Sequence, residues 1–386
     1  MKSILKISLV ALVSFSCFIS CRPQTASTEK VSAFENDTTF SSNLSADMVS
    51  NQYIIKRKGL AHLQKDFESK FNLKILKTIP GILVDIVEMS SEDRQTLMSS
   101  NLVEYAEPNY KRRMNVKIDK ADSGTAPSGT ISQVNSVYRG SPYINVAVVS
   151  TGVDLNHPAL KNKLLKGFST FGSDDSENDV SGVGTFQAGI ITASDEEVTG
   201  IASNCKVLPI KAFNDNLETN DGALAQGIMW AVDHGANVVT FTAEGSKDNK
   251  VFQDVFKYAF NKKVPIVIGS GDTGTNNESF PANSGGAIVI GSSTGHSNGS
   301  SIMSATAPSD NIKSLFTTKK LDTTTIKKYA SLSGSMVSAT YAAGQLALIR
   351  SKYTNLDVNA MRKHLESTVS GRNKEIDPVK ALSVKK

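Results

Sequence analysis

Apolar and polar positions follow two different regimes along this chain. Between Gln52 and Tyr110, short apolar runs are separated by polar stretches of helical spacing. Tyr53-Ile54-Ile55-Lys56 predicts a strand, Leu60, Leu63, Phe67 and Phe71 recur at helical intervals, and Ile82–Val87 predicts a second strand. Ser91 to Met98 predicts a short capped helix, with Ser91 and Arg94 flanking its first turn, and Val103–Pro108 a closing strand. This alternation fits a small α+β domain with helices on one face of an antiparallel sheet. From Ile131 onward the strands become continuous apolar runs: Asn145–Val149, Lys206–Pro209, Asn237–Phe241, Pro265–Ile268 and Ala287–Ile290. They alternate with helical stretches such as Gly222–Asp233 and Val251–Asn261. Strands apolar on both sides call for a parallel sheet covered on both faces by helices. The long apolar run Met336–Lys352 is expected to be a buried central helix. The fold class expected is therefore α/β, a doubly wound parallel sheet preceded by a small α+β domain.

The flanks divide the chain further. Lys2 and Lys6 precede an apolar run, Ile7–Ile19, too short to span a bilayer and suited to a secretory signal over residues 1–20. It ends Phe18-Ile19-Ser20-Cys21, which resembles the processing box of bacterial lipoproteins, with Phe18 in place of the usual leucine. That resemblance implies lipidation at Cys21 and an exported protein anchored to a membrane of the bacterial envelope; ordinary secretion is the alternative. Residues 21–50 are rich in Ser, Thr, Asn and Asp and read as a linker. The small domain is expected over 51–113, a second linker over 114–130, and the large domain over 131–386. Lys111-Arg112-Arg113 at the boundary admits two readings, a cleavage site for another protease or a solvated linker.

Composition adds exclusions. The 386 residues carry a net charge of +5 from scattered lysines, with no basic stripe, so no nucleic-acid partner is expected. Of three cysteines, only Cys205 belongs to the folded part, so no intrachain disulfide framework is expected. Nothing in the sequence implies a cofactor or a metal.

Three segments carry the chemistry. They are Val146-Ala147-Val148-Val149-Ser150-Thr151-Gly152-Val153-Asp154, Gly182-Val183-Gly184-Thr185-Phe186-Gln187-Ala188-Gly189 and Leu332-Ser333-Gly334-Ser335-Met336-Val337-Ser338-Ala339-Thr340-Tyr341-Ala342-Ala343-Gly344. They resemble the aspartate, histidine and serine blocks of subtilisin-type serine proteases, the subtilases. At each, the reactive residue is absent: Ser150 stands for the aspartate, Val183 for the histidine, and Met336 for the serine when the block is laid without a gap. A Ser-His-Asp mechanism needs a hydroxyl nucleophile, a base for its proton and an anion to hold that base as it becomes cationic. Ser150 is neutral, Val183 has no lone pair, and the Met336 thioether cannot carry an acyl group. A fourth segment, Val264–Asp272, resembles the strand ending in the oxyanion asparagine, and Asp272 takes that place. An ionised carboxylate donates nothing and repels a developing oxyanion. In a subtilisin, losing the serine or the histidine alone costs about a million-fold.

Thr242-Ala243-Glu244-Gly245 resembles the segment that pairs with extended substrate backbone, with Glu244 in place of the first glycine. Its side chain either crowds the groove and selects a basic group or sits on a solvent rim. The family's calcium-binding turn is altered to His157-Pro158-Ala159, and the cluster Asp174–Asp179 reads as a cation loop or an acidic surface loop. Residues 51–113 resemble the inhibitory I9-type propeptide of subtilases. The resemblance thus implies a subtilase-fold pseudoprotease, with its propeptide-like domain in the cleft and a peptide or protein as further partner. Regulation of an active relative by that domain and an endopeptidase with an unconventional site are the alternatives. In the latter, aligning Ser335 with the nucleophile requires an insertion before Gly344 and still leaves no base: of the five histidines, His157 matches a non-catalytic position in the Asn-His-Pro turn, and His62, His234, His296 and His364 lie outside the signature blocks.

Overall fold

The computed structural model describes residues 47–59, 66–118, 128–172, 176–274, 280–295, 297–299, 301–317 and 328–383. The expected signal, Cys21, most of the 21–50 linker, Leu60, His62, Leu63, Asp174, Asp175 and His296 lie outside them. Among the described residues no helix is long and apolar enough to cross a membrane.

The first unit along the chain comprises β1 (Met48–Arg57), α1 (Phe67–Lys70), β2 (Lys74–Ile79), β3 (Val84–Glu88), α2 (Ser91–Ser99) and β4 (Val103–Arg113). β1 lies between β3 and β4 with β2 outside β3, and all the pairings are antiparallel. Tyr53, Ile55, Phe67, Phe71, Val87 and Leu97 close its core. The cap of α2 is Ser90, one residue earlier than expected, whose Oγ accepts the Asp93 N–H at 3.0 Å. β2 was not expected from the sequence. A register shift between Ile75 and Lys77 breaks the alternation that would have revealed it. β1 starts at Met48, inside the segment read as linker, and β4 continues past Pro108 to Arg113. Pro108 is tolerated because the β1–β4 register shifts beside its partner Tyr53.

The larger unit follows as β5 (Lys117–Ile118), α3 (Ser128–Val137), β6 (Asn145–Ser150), β7 (Phe168–Ser169), α4 (Val183–Thr192), β8 (Lys206–Lys211), β9 (Glu218–Asn220), α5 (Asp221–Asp233), β10 (Val238–Phe241), α6 (Val251–Asn261) and β11 (Ile266–Gly269). It continues through β12 (Ile288–Ser292), β13 (Ala305–Ala307), β14 (Ile312–Leu315), β15 (Tyr329–Ser333), α7 (Ser335–Lys352), α8 (Val358–Ser367) and α9 (Pro378–Ser383). The segment read as the second linker thus contains β5 and the start of α3.

Seven strands form one parallel sheet in the order β13-β12-β11-β10-β6-β8-β7. From β6 the chain builds outward on one side through β8 and then crosses to β10 on the other. The carboxyl ends of β6 and β10 therefore flank the point where the topology reverses, where α/β sheets place their ligands. Val146, Val148 and Val149 are wholly buried, each worth about 1.5–3 kcal/mol of apolar transfer. The central helix α7 is buried from Ser335 through Arg350.

β9 also joins the first unit: Lys111, Arg112 and Arg113 of β4 pair antiparallel with Asn220, Thr219 and Glu218. Around this junction, Tyr105 Oη donates to Asp254 at 2.7 Å, Lys56 pairs with Asp254 at 2.6 Å, and the Gly222 N–H donates to Asn109 at 2.9 Å. A Cβ on Gly222 would lie 2.6 Å from Ile86 Cδ1, so α5 packs against the first unit only because that position is bare.

Candidate functional site

The carboxyl ends of β6, β10 and β11 and the first turn of α7 carry the residues singled out from the sequence. Ser150 ends β6, Val183 opens α4 and Met336 lies in the first turn of α7, and all three are 0% exposed. Among the described residues the Ser150 hydroxyl has no hydrogen-bond partner, while its carbonyl accepts the Ala212 and Phe213 N–H groups. Met336 turns inward, its sulfur 3.7 Å from Thr340 Oγ1, which in turn accepts from Gln187 of α4 at 3.0 Å. These side chains behave as packing: none presents a base, an acid or a nucleophile.

Glycines set the close approaches here. A Cβ on Gly184 would lie 1.8 Å from the Gly152 carbonyl oxygen, so the turn after β6 and the start of α4 touch through backbone. Gly334 caps α7 with φ +129°, a conformation that L side chains rarely adopt.

Polar chemistry is present beside this centre in a different set of residues. Asp272 accepts the Ser335 N–H through Oδ1 at 2.8 Å and Oδ2 at 3.0 Å, and the Ser335 hydroxyl at 3.0 Å. An acceptor facing the first N–H groups of a helix is favoured by the helix dipole. Ser335 Oγ also accepts the Gly271 N–H at 3.2 Å. The Asp272 N–H donates to Glu244 Oε1 at 2.8 Å, and Asn115 donates to Glu244 Oε2 at 2.5 Å. Glu244 is thus not on a solvent rim: it is 6% exposed, and burial, with the Asp272 carboxylate nearby, pushes its carboxyl up to about 7. Of the remaining groove residues, Thr242 and Ala243 are buried, and Gly245 faces Arg112.

The chain leaving β4 runs past this cluster. Arg113 and Glu244 form an antiparallel bridge, with N–H to O distances of 3.3 and 2.8 Å, and the Met114 N–H donates to the Leu217 carbonyl at 2.9 Å. Farther on, Lys117 and Ile118 pair with Ser333 and Leu332, just before α7. Arg112, between the two exposed basic neighbours, is only 3% exposed. It forms a two-pronged ion pair with Asp221, Nε to Oδ1 at 2.6 Å and Nη2 to Oδ2 at 2.8 Å.

The described histidines are engaged elsewhere. His157 Nδ1 accepts from the Ala159 N–H and burial lowers its pKa, His234 stacks on Trp230 at 3.8 Å, and His364 Nε2 contacts the Ala381 carbonyl at 2.8 Å. Of the acidic cluster, Asp179 is fully buried and accepts from Thr151 Oγ1, Ser181 Oγ, the Gly182 N–H, and both the N–H and Oγ1 of Thr185. It tethers the loop before α4 to the end of β6. Among the described residues no group of acidic, histidine or cysteine side chains is arranged to hold a metal ion. Cys205 is buried and its thiol pKa is raised by that burial.

Sequence reasoning missed three residues of this region. Asp179 was hidden in a surface-like acidic run, and Asp221 lies one residue before the helical stretch expected over Gly222–Asp233 and drew no reading of its own. Arg112 read as part of a solvated triplet, although alternation across Lys111-Arg112-Arg113 was the available signal.

Comparison with known proteins is consistent across methods. Residues 142–380 match the family model described as the subtilase family, Peptidase_S8. The chain is 27% identical over 320 residues to a thermophilic serine proteinase of Bacillus sp. strain AK1, covering 79% of this chain and 75% of that protein. It is 31% identical over 216 residues to thermitase of Thermoactinomyces vulgaris, covering 54% of this chain and 75% of that one. Among solved structures, fervidolysin of Fervidobacterium pennivorans, a keratinolytic enzyme related to subtilisin, superposes with a TM-score of 0.75 at 23% identity. That match covers 88% of this chain but 62% of the fervidolysin chain, less than two thirds. The fold is subtilisin-like.

Proposed function

The chain belongs to the subtilase family, and from that membership we propose that it is a non-hydrolytic subtilase-fold protein that binds peptide or protein chains without cutting them. One observation supports this reading: Ser150, Val183 and Met336, which it assigns to the acid, base and nucleophile positions, are each wholly buried. The fourth loss compounds the first three, since Asp272 offers a carboxylate where an oxyanion needs a donor. With no triad, the first unit stays covalently joined, and its Lys111–Asn115 segment occupies the strand edge at β9 and Glu244 that an extended peptide would take. We further propose export through the N-terminal signal and lipid anchoring at Cys21.

A second reading, a serine endopeptidase with an unconventional site, draws on the Ser335 hydroxyl held 3.0 Å from Asp272. A carboxylate within hydrogen-bond reach is the minimum a general base requires. Against it, Ser335 is wholly buried. Incubation with a fluorophosphonate, which esterifies activated serines, tests both. The non-hydrolytic reading expects no adduct; an adduct on Ser335 that disappears with Asp272→Asn would establish the second.

A further inference from the structure

Resting on the binding reading above, we propose that Asp221, Lys247, Asn249, Phe280 and Gly245 form an arginine-selective receptor for extended peptide segments, filled in the intact chain by its own Arg112. An arginine-bearing segment of another polypeptide would occupy it once residues 111–115 are displaced. The pocket is built for a guanidinium. Asp221 is 0% exposed and receives Nε and Nη2 of Arg112 at 2.6 and 2.8 Å, while Nη2 also donates to the Lys247 carbonyl at 2.7 Å. Asn249 steadies the carboxylate through its amide at 3.0 Å, and the guanidinium lies 4.3 Å from the Phe280 ring centroid.

A planar fork that pairs two-pronged and stacks on a ring is a task for arginine; a lysine ammonium offers a single point charge and no plane. Gly245 supplies the remaining space, since a Cβ there would lie 2.1 Å from Arg112 Nη1. Arg112 makes the charged side-chain contact of the segment, beside Met114, which is 1% exposed, and Asn115, whose amide donates to Glu244 Oε2 at 2.5 Å. Lys111 is exposed, and the Arg113–Glu218 pair, at 3.8 Å with both side chains about half exposed, adds little. Backbone pairing of residues 111–113 to β9 and Glu244, which any sequence can make, adds to these side-chain contacts. Every receptor residue comes from the larger unit and the ligand from the segment leaving β4, so the receptor does not depend on the occupant being in cis.

The test uses the full chain with Lys111, Arg112, Arg113, Met114 and Asn115 replaced by glycine and serine, and a fluorescent, end-blocked Lys-Arg-Arg-Met-Asn peptide. Fluorescence anisotropy should report saturable binding to this variant and none to the unaltered chain. The same peptide with lysine at its first arginine, the one that matches Arg112, should bind roughly tenfold more weakly or worse. No binding, or equal binding of both peptides, overturns the proposal. Should the five-fold variant not fold, Arg112→Ala is melted with N-ethylguanidinium or ethylammonium. A rise in Tm with the guanidinium alone supports the receptor, and equal or absent effects overturn it. Cleavage of the bound peptide, read by mass spectrometry, would sink the non-hydrolytic reading while leaving the receptor standing.

Discussion

Two regions at the carboxyl edge of the parallel sheet have been treated in opposite ways. In the three blocks that resemble the family's catalytic signatures, packing dominates: Val183 and Met336 are apolar and buried, and Ser150 keeps a hydroxyl with no hydrogen-bond partner among the described residues. Around β9, Glu244 and the start of α5, buried charge is plentiful and matched. Arg112 meets Asp221, and Glu244 meets the Asp272 N–H and Asn115. Buried charges persist only where partners and hydrogen bonds offset their desolvation. The contrast therefore sets a region of matched buried charge, which holds a chain in place, beside one of apolar packing, which the proposed function takes to have lost the means of cleaving it.

Four substitutions would break or sharpen this contrast, and the largest effect is expected at the ion pair. Asp221→Ala leaves the Arg112 guanidinium buried without its carboxylate and should destabilise the protein by about 3–5 kcal/mol in urea titration. A loss within the error of the titration would mean that the pair is ornamental. Next comes Met336→Ser, which places a hydroxyl at a wholly buried site. It should lose about 2–4 kcal/mol by opening space in α7's packing and gain no peptidase activity.

Glu244 yields a pH signature. Its carboxyl is raised to about 7 in the folded protein, so the native state binds the proton more tightly than the unfolded chain. Stability from this group is complete below the ordinary carboxylate range and is lost as pH rises through about 7. The loss is up to ~3 kcal/mol, and Glu244→Gln should flatten this part of the profile in melts between pH 4 and 8. The smallest change is Gly245→Ala, whose added Cβ would meet Arg112 Nη1 at 2.1 Å. It should lower stability by about 1–3 kcal/mol in the same titration, and much less when combined with Arg112→Ala.

Much of the larger unit was legible in the sequence because its signals are local. Continuous apolar runs predicted β6, β8, β10, β11 and β12 to within a residue or two, and helical spacing predicted α5 and α6. The N-terminal unit was harder. A bulge near Ile75 concealed β2, and Pro108 suggested an end to β4 that the shifted register does not require. The blocks that resemble the family's signatures could be picked out from motif spacing alone. The polar cluster could not: Arg112 and Asp221 are 109 residues apart, and Asn115 reaches Glu244 across 129. Charge runs carry no periodicity that tells a solvated lysine from a buried arginine, so those partners appear only once the sheets are assembled.

The loss of catalysis is tested most directly by intact-mass spectrometry of the purified full chain after prolonged incubation with a fluorophosphonate between pH 5 and pH 9. A single unmodified chain, with no break near Arg113, is the expected result. A phosphonyl adduct on Ser335, or a fragment beginning near Met114, would show that this sheet edge still cuts.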